Sequence, residues 1–166
     1  MDMLGVKATA LLAGSFLSGT MASLSLIAVP VFMDTTGDAT QLVHQWARMY
    51  EYGHKAMPTI SVGVCILHVY MAASKKRRGD LDRGRRVFSA LAGVSTVLML
   101  PFTWLFMVPT NNELFRLEAL SRMESPGAFD LRGADVKGLV GHWAELHAIR
   151  CIFPLAGAVL GMFGTS

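Results

Sequence analysis

Residues 87–109 read VFSALAGVSTVLMLPFTWLFMVP and contain no charged side chain. A transmembrane helix needs about 20 predominantly apolar residues, because it must cross a hydrocarbon layer about 30 Å thick. The stretch therefore predicts a membrane span. The composition of the whole chain agrees, since its 166 residues are 52% hydrophobic and only 16% charged, whereas soluble domains have about 25% charged residues.

Three further stretches are apolar and long enough to cross a bilayer, and they cover residues 4–33, 54–74 and 147–164. With 87–109 they predict an all-α fold, in which residues 1–166 form one four-helix transmembrane bundle. Small residues recur at a spacing of four, as in Gly14, Ser18 and Ala22 or in Gly157 and Gly161. Such stripes let helices approach closely, and they suit a homodimer as well as packing within one chain.

The basic residues of the chain are concentrated in one short connection. Residues 75–86, KKRRGDLDRGRR, hold seven Lys or Arg and two Asp, and their charge of +5 exceeds the +3 of the whole chain. Connections rich in Lys and Arg stay in the cytoplasm, so this loop and both termini are predicted to be cytoplasmic. A short topology signal of this kind argues against a nucleic-acid partner. In a eukaryotic cell we expect the endoplasmic reticulum or another endomembrane.

The charge-free span runs into the sequence Pro109–Glu113, PTNNE. Thr110 and Glu113 have the spacing of a capping box, which would end one helix and start the next. That interpretation leaves the amides of Asn111 and Asn112 free at the mouth of the bundle. They could be part of a structural cap or the polar floor of a site.

Two other polar clusters are predicted at the same, non-cytoplasmic membrane face. Their aromatic, histidine and arginine side chains repeat at helical spacing, and so share one helix face in each cluster: Trp46, Tyr50 and His54 in the first, and Trp143, His147 and Arg150 in the second. Ionisable residues within a span are costly and are candidates for function.

Structural alternatives exist for these residues. The aromatic side chains suit an interfacial belt, and Arg150 could snorkel or pair with Glu145 or Glu113. His68, alone within the second span, is expected to be a core histidine that bonds a neighbouring hydroxyl group.

The sequences PFTWLFMVPTNNEL (101–114) and WAELHAIR (143–150), with the Gly- and Ser-rich first span and residues 46–58, resemble the anthrone oxygenase family of small four-span membrane proteins. The aromatic and histidine content is similar to that of the fungal polyketide-pathway members. The resemblance covers most of the chain. It implies a monooxygenase that uses O2 to convert an anthrone to an anthraquinone, with no flavin, haem or dedicated metal.

That chemistry needs a general base, donors for an oxyanion and a flat apolar pocket. His147 is the first choice for the base, with His54 and His44 in reserve. Arg150, Asn111 and Asn112 are predicted to hold the anion. The remaining candidates could contact the substrate: Trp143, Trp46, Tyr50, Thr110, Phe102, Trp104 and Phe106.

Two other classes of protein remain open. Five histidines and eleven methionines are compatible with a haem- or copper-dependent membrane oxidase, although no Gly-rich nucleotide motif or paired metal-ligand spacing is present. The third class is a non-catalytic membrane scaffold or lipid-binding protein.

Overall fold

The computed structural model describes residues 3–77, 83–123 and 135–165, and the side chains of 3–74, 83–123 and 135–164. Four helices in this part of the chain are long and apolar enough to cross a membrane. We call them span 1 (Met3–Thr35), span 2 (Ala39–Ser74), span 3 (Arg83–Met123) and span 4 (Val136–Gly164). No strand occurs among the described residues, so the prediction of an all-α, four-helix transmembrane bundle is confirmed.

The spans are built from seven α-helices and two π-helical turns. Their bounds are α1 Met3–Ser23, π1 Leu24–Ala28, α2 Val29–Thr35, α3 Ala39–Arg77, α4 Arg83–Val97, α5 Met99–Phe102, π2 Thr103–Met107, α6 Val108–Met123 and α7 Val136–Thr165. Span 4 packs mainly on spans 1 and 3, and span 2 packs on the same two spans. The four helices therefore form a ring in which each span has two principal neighbours.

Hydroxyl groups join the spans by bonding to backbone carbonyls of their neighbours. Ser18 of span 1 donates to the carbonyl of Cys151 at 2.9 Å, and Ser95 of span 3 donates to that of Phe153 at 3.1 Å. Ser61 of span 2 donates to the carbonyl of Thr96 at 2.9 Å. Without water in the hydrocarbon layer, such bonds satisfy polar side chains while they tie helices together.

The helices extend well beyond the predicted apolar stretches. Residues 39–53, expected in a connection, continue into span 2, and residues 110–123 continue span 3. The predicted capping box is wrong, because Thr110 lies inside α6 and Glu113 pairs with Arg116 at 2.6 Å. Hydropathy falls at Thr110, but good helix formers after it let the helix continue.

Two spans contain a π-helical turn, and prolines lie next to both turns. Pro30 follows π1 closely, and π2 lies between Pro101 and Pro109. A proline lacks the N–H that the ordinary helical bond requires, and a π turn is one local adjustment of the bond pattern. Such turns are frequent at functional sites, and here both border the same cavity.

Candidate active site

A cavity of about 160 Å³ lies between spans 1, 2, 3 and 4. It lies at the end of the bundle away from the basic 75–86 connection. Its lining mixes apolar, aromatic and ionisable side chains: Leu24, Met49, Tyr50, Gly53, His54, Met57, Pro58, Met99, Leu100, Thr103, Trp104, Trp143, His147 and Arg150.

Arg150 is the cation of this cavity. Its Nη1 donates to Oγ1 of Thr103 at 3.1 Å, its Nη2 donates to Nε2 of His147 at 2.9 Å, and Nη2 also lies 3.8 Å from Sδ of Met57. No carboxylate pairs with it among the described residues, because Glu113 bonds Arg116 and Glu145 faces His142. The alternative in which Arg150 pairs with Glu145 or Glu113 is therefore excluded, and within the described residues the guanidinium beside the cavity has no acidic partner.

His147 is buried between two hydrogen-bond partners. A guanidinium can only donate, so Nε2 of His147 accepts from Arg150, and the ring proton is on Nδ1. Nδ1 then donates to Oγ of Ser25, 3.0 Å away. Ser25 lies in π1, and Thr103 is the first residue of π2. The two π turns therefore position the hydroxyl groups that bond His147 and Arg150.

Trp143 continues this chain of contacts. Its indole stacks on the imidazole of His147, with ring centroids 4.6 Å apart, and its Nε1 donates to Oδ1 of Asn111 at 3.0 Å. Asn111 is buried and fixes the indole that faces the cavity. The predicted common face of Trp143, His147 and Arg150 is thus confirmed.

His54, an exposed residue of span 2, also lines the cavity. Its Nδ1 lies 3.0 Å from the carbonyl oxygen of Glu51 and 3.3 Å from that of Tyr50, so Nδ1 carries the proton and donates. Nε2 is consequently the nitrogen with a lone pair. The ring also stacks on Tyr50, with centroids 5.5 Å apart and planes 9° apart.

Other candidates lie outside the cavity lining. Asn112 and Phe106 are exposed, whereas Thr110 and Trp46 are buried. Trp46 packs edge-on against Trp143 with centroids 5.9 Å apart, and thus supports the cavity wall from behind. Trp104 does line the cavity, but 79% of it is exposed, which places it at the rim.

The remaining histidines occupy other settings. Nδ1 of His44 donates to Oε1 of Glu118 at 3.2 Å, and Glu118 also accepts from Arg122. His68 is fully buried, and neither ring nitrogen has a hydrogen-bond partner in the described part of the chain. The prediction that His68 bonds a hydroxyl group is therefore wrong.

Three contributors to the site escaped the sequence analysis: Ser25, Thr103 and Met57. Ser25 and Thr103 are ordinary small polar residues of membrane spans. The prolines near π1 and π2 were the available signal, because they mark places where the helical bond pattern has to change. Within the described ranges, no three His, Cys, Asp or Glu side chains are grouped as a metal site.

The fold and this cavity define a small multi-pass membrane protein with a polar, aromatic-walled site between its helices. The sequence profile of the anthrone oxygenase family matches residues 46–160. This range includes every polar residue of the cavity lining but not Ser25, which bonds His147.

Full-length relatives give the same result. Anthrone oxygenase AgnL2 of Paecilomyces divaricatus is 51% identical over 99% of this chain and 97% of its own length. Anthrone oxygenase tpcL of Aspergillus fumigatus is 45% identical over 94% of this chain and 90% of its own length. Monooxygenase hypC of Dothistroma septosporum is 39% identical over 97% of this chain and 83% of its own length. No solved structure matches the chain. The chain belongs to the anthrone oxygenase family.

Proposed function

We propose that this protein oxidises a membrane-soluble anthrone to the anthraquinone with O2, and that its own side chains suffice without a flavin, haem or metal. The observation that carries the proposal is the guanidinium of Arg150, which lies in an aromatic-walled cavity and has no acidic partner in the described part of the chain, combined with membership of this family. For the parent ring system the balanced reaction is C14H10O plus O2 giving C14H8O2 plus H2O.

The reaction begins with loss of a proton from the doubly benzylic CH2 opposite the ketone. The resulting anthrolate gives one electron to O2, and the carbon radical combines with superoxide to form a C–O bond. The peroxide takes up a proton. Loss of the second C–H proton and cleavage of the O–O bond then release water and leave the new carbonyl group.

Arg150 is suited to hold the ketone oxygen as it gains negative charge. The Thr103 hydroxyl and the His147 ring fix two of its nitrogens, so little reorganisation is needed when the anion forms. An acidic partner would neutralise the guanidinium, and none pairs with it in the described residues. A cation in this setting stabilises the anthrolate more strongly than it stabilises the neutral ketone.

His54 is the better supported proton acceptor. Its Nε2 lone pair is the free one, since Nδ1 donates to backbone carbonyls, and imidazole is the usual base near neutral pH. For His147, a proton on Nε2 would meet the Arg150 nitrogen only 2.9 Å away, and two positive charges at that distance repel. We therefore assign His147 to holding Arg150, with Asn111 acting on it through Trp143.

Paired histidine variants test the assignment. His54→Ala should lower kcat by about a hundredfold, the effect typical of losing a general base. His147→Ala should lower kcat as well, but through a misplaced Arg150. His142→Ala is the matched control, because His142 is exposed, faces Glu145 and does not line the cavity.

The measurement is O2 consumption by purified protein with emodin anthrone over a range of pH. With His54→Ala the pH dependence of kcat caused by the base should disappear, whereas with His147→Ala it should remain. The opposite pattern would return the role of base to His147.

A further inference from the structure

The cavity beside Arg150 is small for a tricyclic substrate. Its volume is about 160 Å³, whereas pockets that enclose a molecule of this size span about 300–1,000 Å³. A tricycle with its carbonyl at Arg150 must therefore extend beyond this cavity.

An apolar groove between spans 1 and 2 supplies the missing space. Its volume is about 410 Å³, and it borders the cavity directly, because four residues line both spaces: Leu24, Met49, Gly53 and Met57. Six further residues line the groove but not the cavity: Phe16, Leu17, Thr20, Tyr52, Ala56 and Ile60.

The groove opens on the outer surface of the bundle. Phe16 lies in the apolar stretch 4–33 and is 67% exposed, so this surface faces lipid. Tyr52, which is 77% exposed, lies where span 2 extends beyond its apolar stretch. From Leu24 to Phe16 the groove follows span 1 for roughly 12 Å, at a helical rise of about 1.5 Å per residue. A molecule dissolved in the bilayer can therefore reach the cavity without passing through water.

The boundary between groove and cavity is adjustable. Met57 forms it together with Gly53, and a methyl group added at Gly53 would lie 3.4 Å from Cε of Met57. Methionine is unbranched and changes rotamer readily, and the absence of a side chain at position 53 leaves it room. The same Met57 touches Nη2 of Arg150 through its sulfur, so its movement would open a path that leads to the guanidinium.

We propose that the groove between spans 1 and 2 is the access route and binding slot for a flat, apolar polycyclic ketone that enters from the lipid. This inference rests on the proposed function. A ketone with fused rings fits the combined space, because its polar edge meets Arg150 while its rings lie against apolar side chains. A lipid acyl chain would fill the groove equally well, but it has no group for the guanidinium at the inner end.

The first test closes the groove from either wall. Ala56→Trp on span 2 and Thr20→Trp on span 1 each place a large side chain in the groove, at positions that do not line the cavity. In liposomes loaded with emodin anthrone, each should lower kcat/KM by about tenfold or more, because association becomes slow, with a smaller change in kcat. Ala73→Trp, another exposed position of span 2, is the control and should match the wild type. Wild-type kcat/KM in both groove variants overturns the proposal.

A second test is independent of turnover. An azide-bearing anthraquinone is photolysed in liposomes with the protein, and labelled peptides are located by mass spectrometry. We expect labelling within residues 16–24 and 49–60 that Ala56→Trp abolishes and Ala73→Trp retains. The proposal is overturned if Ala56→Trp leaves the labelling unchanged. It is also overturned if a photoreactive fatty acid labels these residues and the anthraquinone does not. If the labelling is as expected but no anthrone is oxidised, the groove stands and the proposed function fails.

Discussion

At the scale of single residues, the site depends on a short chain of polar contacts. Asn111 holds Trp143, Trp143 stacks on His147, and His147 accepts from Arg150. The sequence predicts that Trp143, His147 and Arg150 lie together, because spacings of four and three residues place side chains on one helix face. It cannot predict that Asn111 faces the indole, because that depends on how span 3 is rotated against span 4.

Substitution of Arg150 tests the role of the fork-shaped cation. Arg150→Ala should lower kcat by about a hundredfold, as expected for loss of an oxyanion donor. Arg150→Lys keeps the charge but lacks the planar fork whose two nitrogens bond Thr103 and His147, so it should recover only part of the rate. Rates come from anthraquinone absorbance with emodin anthrone. Full activity of Arg150→Ala would exclude it as the anion holder.

Substitution of Ser25 tests how His147 is held. Ser25→Ala removes the hydroxyl acceptor of the buried Nδ1–H of His147 and leaves it the backbone carbonyl of Met21; loss of one such hydrogen bond costs about 0.5–1.5 kcal/mol. We expect a drop in kcat of up to about tenfold with little change in KM. Ser23→Ala, two residues earlier, is the control, because the Ser23 hydroxyl is exposed and bonds only the carbonyl of Thr20. Equal activity of the two variants would contradict the role of Ser25.

At the scale of helices, the site is built where the helical bond pattern changes. The π1 and π2 turns bring Ser25 and Thr103 to span 4. The prolines at 30, 101 and 109 are visible in the sequence, but whether a proline produces a kink or a π turn depends on the packing of neighbouring helices. The ends of the helices were missed for a related reason, since polar residues continue a helix once it leaves the hydrocarbon layer.

Glycine substitutions test the close packing of the spans. A Cβ at Gly157 would lie 2.8 Å from the backbone carbonyl of Ala92 and even nearer to the Thr96 hydroxyl. Gly157→Ala should therefore destabilise the bundle by about 1–3 kcal/mol, seen as a lower Tm in detergent. Gly19→Ala is the matched control, since nothing lies within 4 Å of its added Cβ, and it should unfold at or above the wild-type Tm. A Gly157→Ala variant as stable as the wild type would contradict the packing.

At the scale of the whole molecule, hydropathy predicts the number of spans, because each must cross the same thickness of lipid. It does not predict the cavity or the groove, which arise from four helices packed side by side. Charge predicts orientation: the basic 75–86 connection should face the cytoplasm, and the cavity should lie near the opposite membrane face.

Accessibility of the termini tests this orientation. With an epitope tag at either end, both tags should be reached by antibody once the plasma membrane alone is permeabilised and the endomembranes stay sealed, and protease added to sealed microsomes should remove both. Protection of either tag in sealed microsomes would contradict the predicted topology.

The most direct test of the central claim follows the oxygen atom. Purified protein of measured metal content is given emodin anthrone under ¹⁸O2, and the anthraquinone is analysed by mass spectrometry. The proposed chemistry predicts one ¹⁸O atom in the new carbonyl group, one O2 consumed per anthrone, and undiminished turnover in protein free of iron and copper. A product without ¹⁸O, or turnover that requires added metal, would contradict it.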